Sequence, residues 1–165
     1  MHRSDTAVLF VSRENAARSL LAEACLRHLG QSRFKVFSCG VPALSHGQPS
    51  EWALLALKTA GMSIAGLRCK PWTEFTRSGA PRMDFVIALD QETAFQHPHW
   101  RGQPETATWA YDPLVARKDK SMDLALATLN TLHSLRRRIE LLVALHARGV
   151  ARSDLRHDLR DMSHL

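Results

Sequence analysis

The chain has 165 residues, of which 45% are hydrophobic and 23% charged, and its net charge is +6. This length and balance are typical of one globular domain with its own core. No apolar run is long enough to span a membrane, and the polar residues Met1 to Thr6 lack the apolar stretch of a secretory signal, so a cytoplasmic location is expected.

Strand-like and helix-like patterns alternate along the chain. Apolar runs predict strands over 6–11 and 83–89, an alternating pattern predicts a strand over 34–39, and a weaker pattern predicts a fourth strand over 107–111. Helical spacing of apolar residues predicts helices over 16–29, 50–60, 93–97 and 120–148, with a helical turn over 71–75 and Gly30 as the end of the first helix. This alternation predicts an α/β fold, a single-domain open four-stranded parallel sheet with helices on both faces.

The domain is expected to cover residues 1–150, followed by the charged segment 151–165. That segment is interpreted as a helical extension, an oligomer contact or a frayed tail. The three cysteines, Cys25, Cys39 and Cys69, are isolated and odd in number, which argues against a disulfide framework and a zinc site. The positive charge favours an anionic partner.

Ligands of open α/β sheets bind beyond the carboxyl ends of the strands, so the segment after the first strand is the candidate site. It reads Ser12-Arg13-Glu14-Asn15-Ala16-Ala17-Arg18-Ser19. A short loop that enters a helix leaves backbone N–H groups unpaired, and these can surround a tetrahedral oxyanion. Arg18 can hold two oxygens of one phosphate, and Asn15 tolerates a left-handed backbone. The alternative is an N-capped helix with Arg18 as a surface charge.

The run VLFVSRENAARSLLAEA resembles the phosphate loop of the low-molecular-weight protein tyrosine phosphatases and the thioredoxin-coupled arsenate reductases. That family has a cysteine, five residues, an arginine and a serine between a strand and a helix. Only the first position differs here, since Ser12 stands where the family has cysteine. Weaker similarities follow in order at 37–40, 61–68, 83–89 and 109–113, with Leu67 in place of a family histidine. The resemblance implies the phosphotyrosine phosphatase I-like fold.

The resemblance also implies site residues. Ser12, Arg18 and Asp112 correspond to the catalytic positions, Asp112 as the general acid that protonates the leaving group. Substrate-binding positions are Arg13, Glu14, Asn15, Ala16, Ala17, Ser19 and Tyr111. Because Asp112 precedes Pro113, it is also interpreted as a plain turn residue.

The serine changes the expected chemistry. In the family the loop cysteine attacks phosphorus as a thiolate, whereas the same surroundings do not ionise a serine hydroxyl, and the loop has no histidine to act as its base. Activity as a phosphoric monoester hydrolase is therefore expected to be lower by several orders of magnitude. Binding of phosphate, arsenate or a sulfate-like oxyanion, or of a phosphorylated protein, is expected to persist.

Other features exclude or leave open further roles. The segment 89–98 holds no cysteine, so arsenate reduction by the family's triple-cysteine route is not expected. Aromatic residues at 72, 100, 109 and 111 either line a substrate entrance or pack in the core. His97 and His99 lack a third ligand, so no metal and no other cofactor is expected.

Three functions remain open at this point. The first is a pseudo-phosphatase that binds phosphate-like anions or phosphorylated partners. The second is an active phosphotyrosine phosphatase or arsenate reductase-like enzyme whose native cysteine has been replaced by Ser12. The third is a basic module that binds nucleic acid or protein through the arginines between 136 and 160. No nucleic-acid-binding motif accompanies this charge, so the third ranks last.

Overall fold

The computed structural model describes residues 5–114 and 121–164, with the main chain only at 121 and 122. The strands are β1 (Thr6–Val11), β2 (Phe34–Cys39), β3 (Phe85–Ala88) and β4 (Glu105–Thr108). The α-helices are α1 (Arg18–Gly30), α2 (Glu51–Thr59), α3 (Gln91–Phe95), α4 (Ser121–Ala147) and α5 (Arg152–Asp161). Single 3-10 turns cover Gln31–Arg33, Trp72–Phe75 and Met162–His164.

The four strands form one sheet in the order β2-β1-β3-β4, and every pairing is parallel. The predicted α/β fold is confirmed. Alternate side chains of β1 lie on opposite faces of the sheet. Val8 and Phe10 pack with α1, α2, α4 and α5 on one face. Leu9 and Val11 pack with the turn at Phe75 on the other face. The short helix α3 contacts β3 and β4, so helices lie on both faces.

Some predicted boundaries shift for identifiable reasons. The fourth strand was expected over 107–111, but β4 pairs Glu105 with Phe85 and Thr108 with Ala88. Its first residues are polar because they lie at the sheet edge, where apolar patterning is weak. Helix α1 begins at Arg18 because residues 16 and 17 belong to the preceding loop. Residue 120, where the last long helix was expected to begin, lies outside the described residues.

The end of α1 differs from the expectation at Gly30. Gly30 is the last helical residue, with φ of −88°, and Gln31 adopts the left-handed conformation with φ of 50°. A Cβ on Gly30 would lie 2.5 Å from Cδ2 of Phe34. Gly30 is therefore required by the close approach of the first residue of β2, not by its own backbone conformation.

The segment after residue 150 contains α5, which covers the edge strand β4. Leu155, Leu159 and Met162 are buried in the main core. The indole N–H of Trp109 donates to the carbonyl of Leu159 at 2.8 Å, and Arg160 donates to the carbonyl of Thr106 at 3.2 Å. Among the described residues, no helix is long and apolar enough to cross a membrane.

Candidate functional site

The loop between β1 and α1 lies at the carboxyl edge of the sheet, where β1 has a neighbour on each side. Its first residue is fixed to β2, because the Ser12 N–H donates to the carbonyl of Cys39 at 3.2 Å. The Arg13 carbonyl accepts from Val41 N–H at 2.9 Å. Asn15 has φ of 51°, the left-handed conformation expected for it. The chain therefore turns sharply before it enters α1.

Five successive backbone N–H groups in this loop lack an internal partner. Within residues 5–114 and 121–164, no acceptor is found for the N–H groups of residues 14 to 18. Asn15 and Arg18 are buried, and Ala16 and Ala17 are half-buried. Buried N–H groups almost always have a partner, so this run can accept an external anion.

The two loop serines and Asn15 form a hydrogen-bonded chain. Ser12 Oγ lies 2.7 Å from Ser19 Oγ, and Asn15 Nδ2 lies 2.7 Å from the same Ser19 oxygen. An amide NH₂ only donates, so Ser19 accepts from Asn15. Ser19 is fully buried, so its hydroxyl proton needs an acceptor. Among the described residues, the acceptor found near Ser19 Oγ is Ser12 Oγ. Donation from Ser19 to Ser12 would satisfy this buried proton and would leave the Ser12 proton free for a ligand.

Arg18 supplies positive charge inside the site. Its side chain is 3% exposed, and Nη1 donates to the carbonyl of Tyr111 at 3.0 Å. Nη2 lies 3.2 Å from Asp90 Oδ2 and 4.0 Å from Glu14 Oε2, but has no hydrogen bond with acceptable geometry in the described chain. Burial lowers the pKa of Arg18, and the charge of Asp90 opposes this shift. The N–H groups of Nη2 are thus the donors of Arg18 that an anion could engage.

Asp90 is a site residue that the sequence analysis missed. Its Oδ2 accepts from the Arg13 N–H at 3.0 Å, while its Oδ1 accepts from Thr93 N–H at 2.8 Å as the N-cap of α3. It comes two residues after β3, the neighbour of β1 in the sheet. An acidic residue just after a buried strand was the available signal, because parallel strand ends converge at one edge.

The side chains of Arg13 and Glu14 are more exposed to solvent than that of Arg18. Arg13 pairs with Glu92 at 2.7 Å, and the two side chains are 38% and 45% exposed. Glu14 is 41% exposed and lies one helical turn before Arg18. These two side chains flank the loop at its solvent side, and their pairing is weak because water screens it.

Tyr111 and Asp112 approach the loop through the chain that follows β4. The Tyr111 carbonyl accepts from Arg18, but its ring packs under Arg138 at 4.9 Å, and its hydroxyl lies 2.8 Å from Ser134 Oγ. Burial raises the pKa of Tyr111, although the hydrogen bond with Ser134 opposes this shift. Asp112 is exposed, and its charge acts on Arg18. Both residues line a cavity of about 580 Å³ against α4.

A buried polar cluster lies beneath the loop. Lys70 Nζ lies 2.9 Å from the Arg68 carbonyl, 3.1 Å from Ser38 Oγ and 3.4 Å from Glu23 Oε1. Ser38 donates to the same Glu23 oxygen at 2.5 Å and accepts from Asn15 Nδ2 at 2.9 Å. Burial lowers the pKa of Lys70, and Glu23 opposes this shift. Lys70 had no sequence signal, since an isolated lysine between Cys69 and Pro71 reads as a surface residue.

The cysteines do not replace the missing loop thiol. Burial raises the pKa of the Cys25 thiol to about 12, and it raises the pKa of Cys39 further still. Cys69 is half-buried, and burial raises its pKa as well. Neutral thiols are poor nucleophiles. Among the described residues no group of His, Cys, Asp and Glu could hold a metal ion.

The parallel sheet and its strand-loop-helix site at the carboxyl edge define a class of α/β proteins with their ligand site after the first strand. Residues 7–110 match the family of the low molecular weight phosphotyrosine protein phosphatases, and the chain belongs to this family. The resemblance drawn from the loop sequence is thereby confirmed. No curated protein sequence matches the chain.

Solved structures share the fold. An arsenate reductase in its oxidized state has 25% identity and a TM-score of 0.66, over 84% of this chain and 97% of that one. The arsenate reductase of Archaeoglobus fulgidus DSM 4304 has 23% identity and a TM-score of 0.62, over 83% and 98%. A cysteine-to-serine mutant of the arginine phosphatase YwlE, with a phosphorylated active site serine, has 21% identity and a TM-score of 0.62, over 87% and 97%.

Proposed function

We propose that this chain binds a phosphate-type oxyanion in the loop from Ser12 to Ser19, and that it turns over phosphate esters poorly because Ser12 stands where the family has cysteine. The observation that carries the proposal is the run of N–H groups at residues 14 to 18, which lack an acceptor in the described chain and lie beside the buried guanidinium of Arg18. Tetrahedral oxyanions match this arrangement of donors.

Ser12 contributes to binding in this proposal. When Ser19 donates to Ser12 Oγ, the Ser12 proton is free to donate to an oxygen of the anion. A family thiolate at the same place would instead repel a phosphate dianion. The hydroxyl is therefore the better partner for a resting anion, while the thiolate is the better nucleophile.

Impaired turnover follows from the absence of a base. Within the described chain, Ser19 is the one side chain in hydrogen-bonding contact with Ser12 Oγ, and a serine cannot take the proton of another serine at neutral pH. Asp112 keeps the role of general acid, since it is exposed beside the loop and its charge reaches Arg18. In this proposal the acid is present and the nucleophile is not activated.

The second candidate is an active phosphatase whose native residue at position 12 is cysteine. Arg18 and Asp112 would then complete a working site: the thiolate attacks phosphorus, the bond to the leaving oxygen breaks, and Asp112 protonates that oxygen. The family match favours this chemistry for a cysteine-bearing form. Substrates of such a form include phosphotyrosine and, by analogy with the YwlE phosphatase, phosphoarginine.

The basic-module alternative loses support from the contacts of the arginines. Arg152 donates to the carbonyls of Asp84 and Gln103, at 3.1 and 2.9 Å. Arg156 lies 3.3 Å from Glu105. Arg138 donates to the Ser163 carbonyl at 3.3 Å. Because these three cations hold α5 and the chain end against the domain, their charge is engaged in intramolecular contacts.

Titration calorimetry with inorganic phosphate tests binding. We expect saturable binding by the unmodified chain and about tenfold weaker binding by Arg18→Lys, because an ammonium cannot match the planar fork of arginine. Arg137→Lys is the matched control, since Arg137 is exposed on α4. Absence of phosphate binding by the unmodified chain would refute the proposal.

Hydrolysis of para-nitrophenyl phosphate tests turnover. Ser12→Cys should hydrolyse it faster than the unmodified chain by several orders of magnitude. Equal rates in the two proteins would show that Ser12 does not limit activity. Intact mass after incubation with substrate shows whether Ser12 retains a phosphoryl group, as the active site serine of the YwlE mutant does. The predicted cytoplasmic location and a phosphorylated protein partner remain part of this proposal.

A further inference from the structure

The carboxylate of Asp112 has no anchor of its own in the described chain. Asp112 is exposed, and within residues 5–114 and 121–164 no hydrogen bond or ion pair is found for its side chain, although its charge acts on Arg18. A general acid works only when it is held close to the oxygen that it protonates. The position of Asp112 therefore depends on the main chain next to it, which is that of Tyr111.

Tyr111 is held by four separate contacts. Its N–H donates to the carbonyl of Leu89 at 3.0 Å, and its carbonyl accepts from Arg18 at 3.0 Å. Its hydroxyl lies 2.8 Å from Ser134 Oγ. The guanidinium carbon of Arg138 lies 4.9 Å from the centre of its ring. The main-chain contacts join Tyr111 to the sheet and the loop, whereas the side-chain contacts join it to α4.

Arg138 connects three parts of the chain. Its side chain extends from α4 and is 5% exposed. Besides the ring of Tyr111 it faces the ring of Trp109, at 5.7 Å, and its Nη2 donates to the carbonyl of Ser163 at 3.3 Å. A cation is attracted to aromatic rings, and more strongly where water is excluded. Arg138 therefore holds the segment 109–112 between α4 and the residues that follow α5.

We propose that Arg138 is a positioning residue for the general acid. Anchored on the carbonyl of Ser163, it fixes the ring of Tyr111 and thereby the distance from Asp112 to the ester that the loop binds. This inference rests on the proposed function of the loop, because a general acid matters only where a phosphate ester is cleaved. Arg138 acts through Tyr111 and is not itself a catalytic residue.

The need for Asp112 depends on the leaving group of the ester. In Ser12→Cys the thiolate forms a bond to phosphorus, the bond from phosphorus to the ester oxygen breaks, and the proton of Asp112 goes to that oxygen. Water then releases phosphate from the sulfur. Phenol has a pKa of about 10, so its oxygen needs the proton as it leaves. The nitro group of para-nitrophenol stabilises the leaving anion, which needs the proton much less.

Arg138→Met in the Ser12→Cys background is the informative variant. Its kcat/KM, which reports the first chemical step, should fall about tenfold with phenyl phosphate and less than about twofold with para-nitrophenyl phosphate, because a displaced acid loses part of its effect. Arg137→Met is the matched control, since it removes the same charge from an exposed position on the same helix. It should match Ser12→Cys with both esters.

A double variant shows whether Arg138 acts through the acid. Asp112→Asn in the Ser12→Cys background should also slow phenyl phosphate selectively. Adding Arg138→Met to Asp112→Asn should lower kcat/KM by less than about twofold more, because residues that act through one group are not additive. A further loss as large as that of Arg138→Met alone would overturn the inference, since Arg138 would then act on the site by another route.

A carbon signal of Tyr111 gives a readout that needs neither ligand nor turnover. Tyr111 is the single tyrosine of the chain, so protein labelled with ¹³C at the tyrosine Cζ gives one tyrosine signal in its NMR spectrum. We expect one narrow signal from the unmodified chain and from Arg137→Met. Arg138→Met should broaden this signal or add a second one, because the released ring exchanges between positions.

The outcomes separate the two proposals. Equal losses with the two esters overturn the inference, because a general distortion slows both, and one narrow carbon signal in Arg138→Met overturns it as well. If Ser12→Cys hydrolyses neither ester, the proposed cause of poor turnover fails, and the carbon signal alone decides whether Arg138 holds Tyr111. Where Arg138→Met unfolds, Arg138→Lys keeps the charge without the planar guanidinium and should show a smaller loss confined to phenyl phosphate.

Discussion

The backbone N–H of Arg13 donates to the carboxylate of Asp90 at 3.0 Å, so an acidic side chain from the end of β3 holds the first N–H after Ser12. The same carboxylate lies 3.2 Å from Arg18 Nη2. The loop is therefore partly neutralised by the protein itself when no ligand is bound. A negative charge near an anion site weakens anion binding, but it stabilises the buried arginine in the free protein.

Asp90→Asn should separate these two effects. Asparagine can still cap α3, so the change mainly removes the charge beside Arg18. We expect the unliganded protein to lose about 1–3 kcal/mol of unfolding free energy, because a buried arginine loses its counterion. We also expect a larger rise in melting temperature on addition of phosphate, measured by differential scanning calorimetry.

Asp154→Asn serves as the control for Asp90→Asn, since Asp154 is exposed in the first turn of α5 and carries the same charge. It should leave the phosphate-induced rise unchanged. A smaller rise in Asp90→Asn than in the unmodified protein would mean that the carboxylate is needed to shape the loop for the anion, and the electrostatic argument would be wrong.

Gly40→Ala should disrupt the loop from beneath. A Cβ at residue 40 would lie 2.8 Å from the Arg13 carbonyl oxygen and 3.0 Å from Asn15 N. Both neighbours are main-chain atoms, so the loop has to move. We expect phosphate binding to fall at least tenfold by calorimetry, while circular dichroism shows a folded protein.

Gly47→Ala is the matched comparison for Gly40→Ala. A Cβ at residue 47 meets no atom within 4 Å, and its φ is not positive. This variant should bind phosphate like the unmodified chain. Normal phosphate affinity in Gly40→Ala would show that the loop tolerates the displacement.

Leu159→Ala should show that α5 belongs to the folded domain. Leu159 is 1% exposed in the main core, and its carbonyl accepts from the Trp109 indole. Truncating a buried leucine costs about 2–5 kcal/mol, through lost transfer free energy and a cavity. We expect this loss in urea denaturation. Leu126→Ala removes the same atoms from a side chain that is 59% exposed, and should cost less than about 0.5 kcal/mol. Equal effects would place α5 outside the cooperative unit.

The Arg68–Glu74 pair should give a small pH-dependent stability. Arg68 donates from both guanidinium nitrogens to Glu74, at 2.9 and 2.7 Å, and this lowers the pKa of Glu74 below 4.5. A lowered carboxylate pKa adds stability above the unfolded value and loses it as the pH falls through the folded value. Arg68 is 60% exposed, so the contribution is under about 1 kcal/mol.

Denaturant titrations of the unmodified protein and Glu74→Gln at several pH values measure this contribution. The difference in unfolding free energy should be constant near neutral pH and should shrink below about pH 4.5. A difference that grows as the pH falls would contradict the assignment.

The sequence by itself determined the fold and the position of the loop. A continuous apolar run at 6–11 predicted β1 with its observed bounds, because a central parallel strand is buried on both faces. An alternating pattern at 34–39 predicted β2, whose Lys35 is exposed. The spacing from Ser12 to Arg18 and Ser19 placed the loop before the first helix. This was possible because the conformation of a short loop depends mainly on residues that are close together in the chain. The family followed from the same short stretch.

The tertiary structure alone decided what surrounds the loop. Asp90 and Lys70 come from distant segments, and no periodicity links them to Ser12, because parallel crossovers bring residues separated by more than 50 positions to one sheet edge. Packing also decided that Trp109 is a core residue that joins β4 to α5. The sequence pattern of a helix or strand indicates which of its faces is apolar. The charge pairs beneath the loop join distant parts of the chain, so they form only when the whole sheet has assembled.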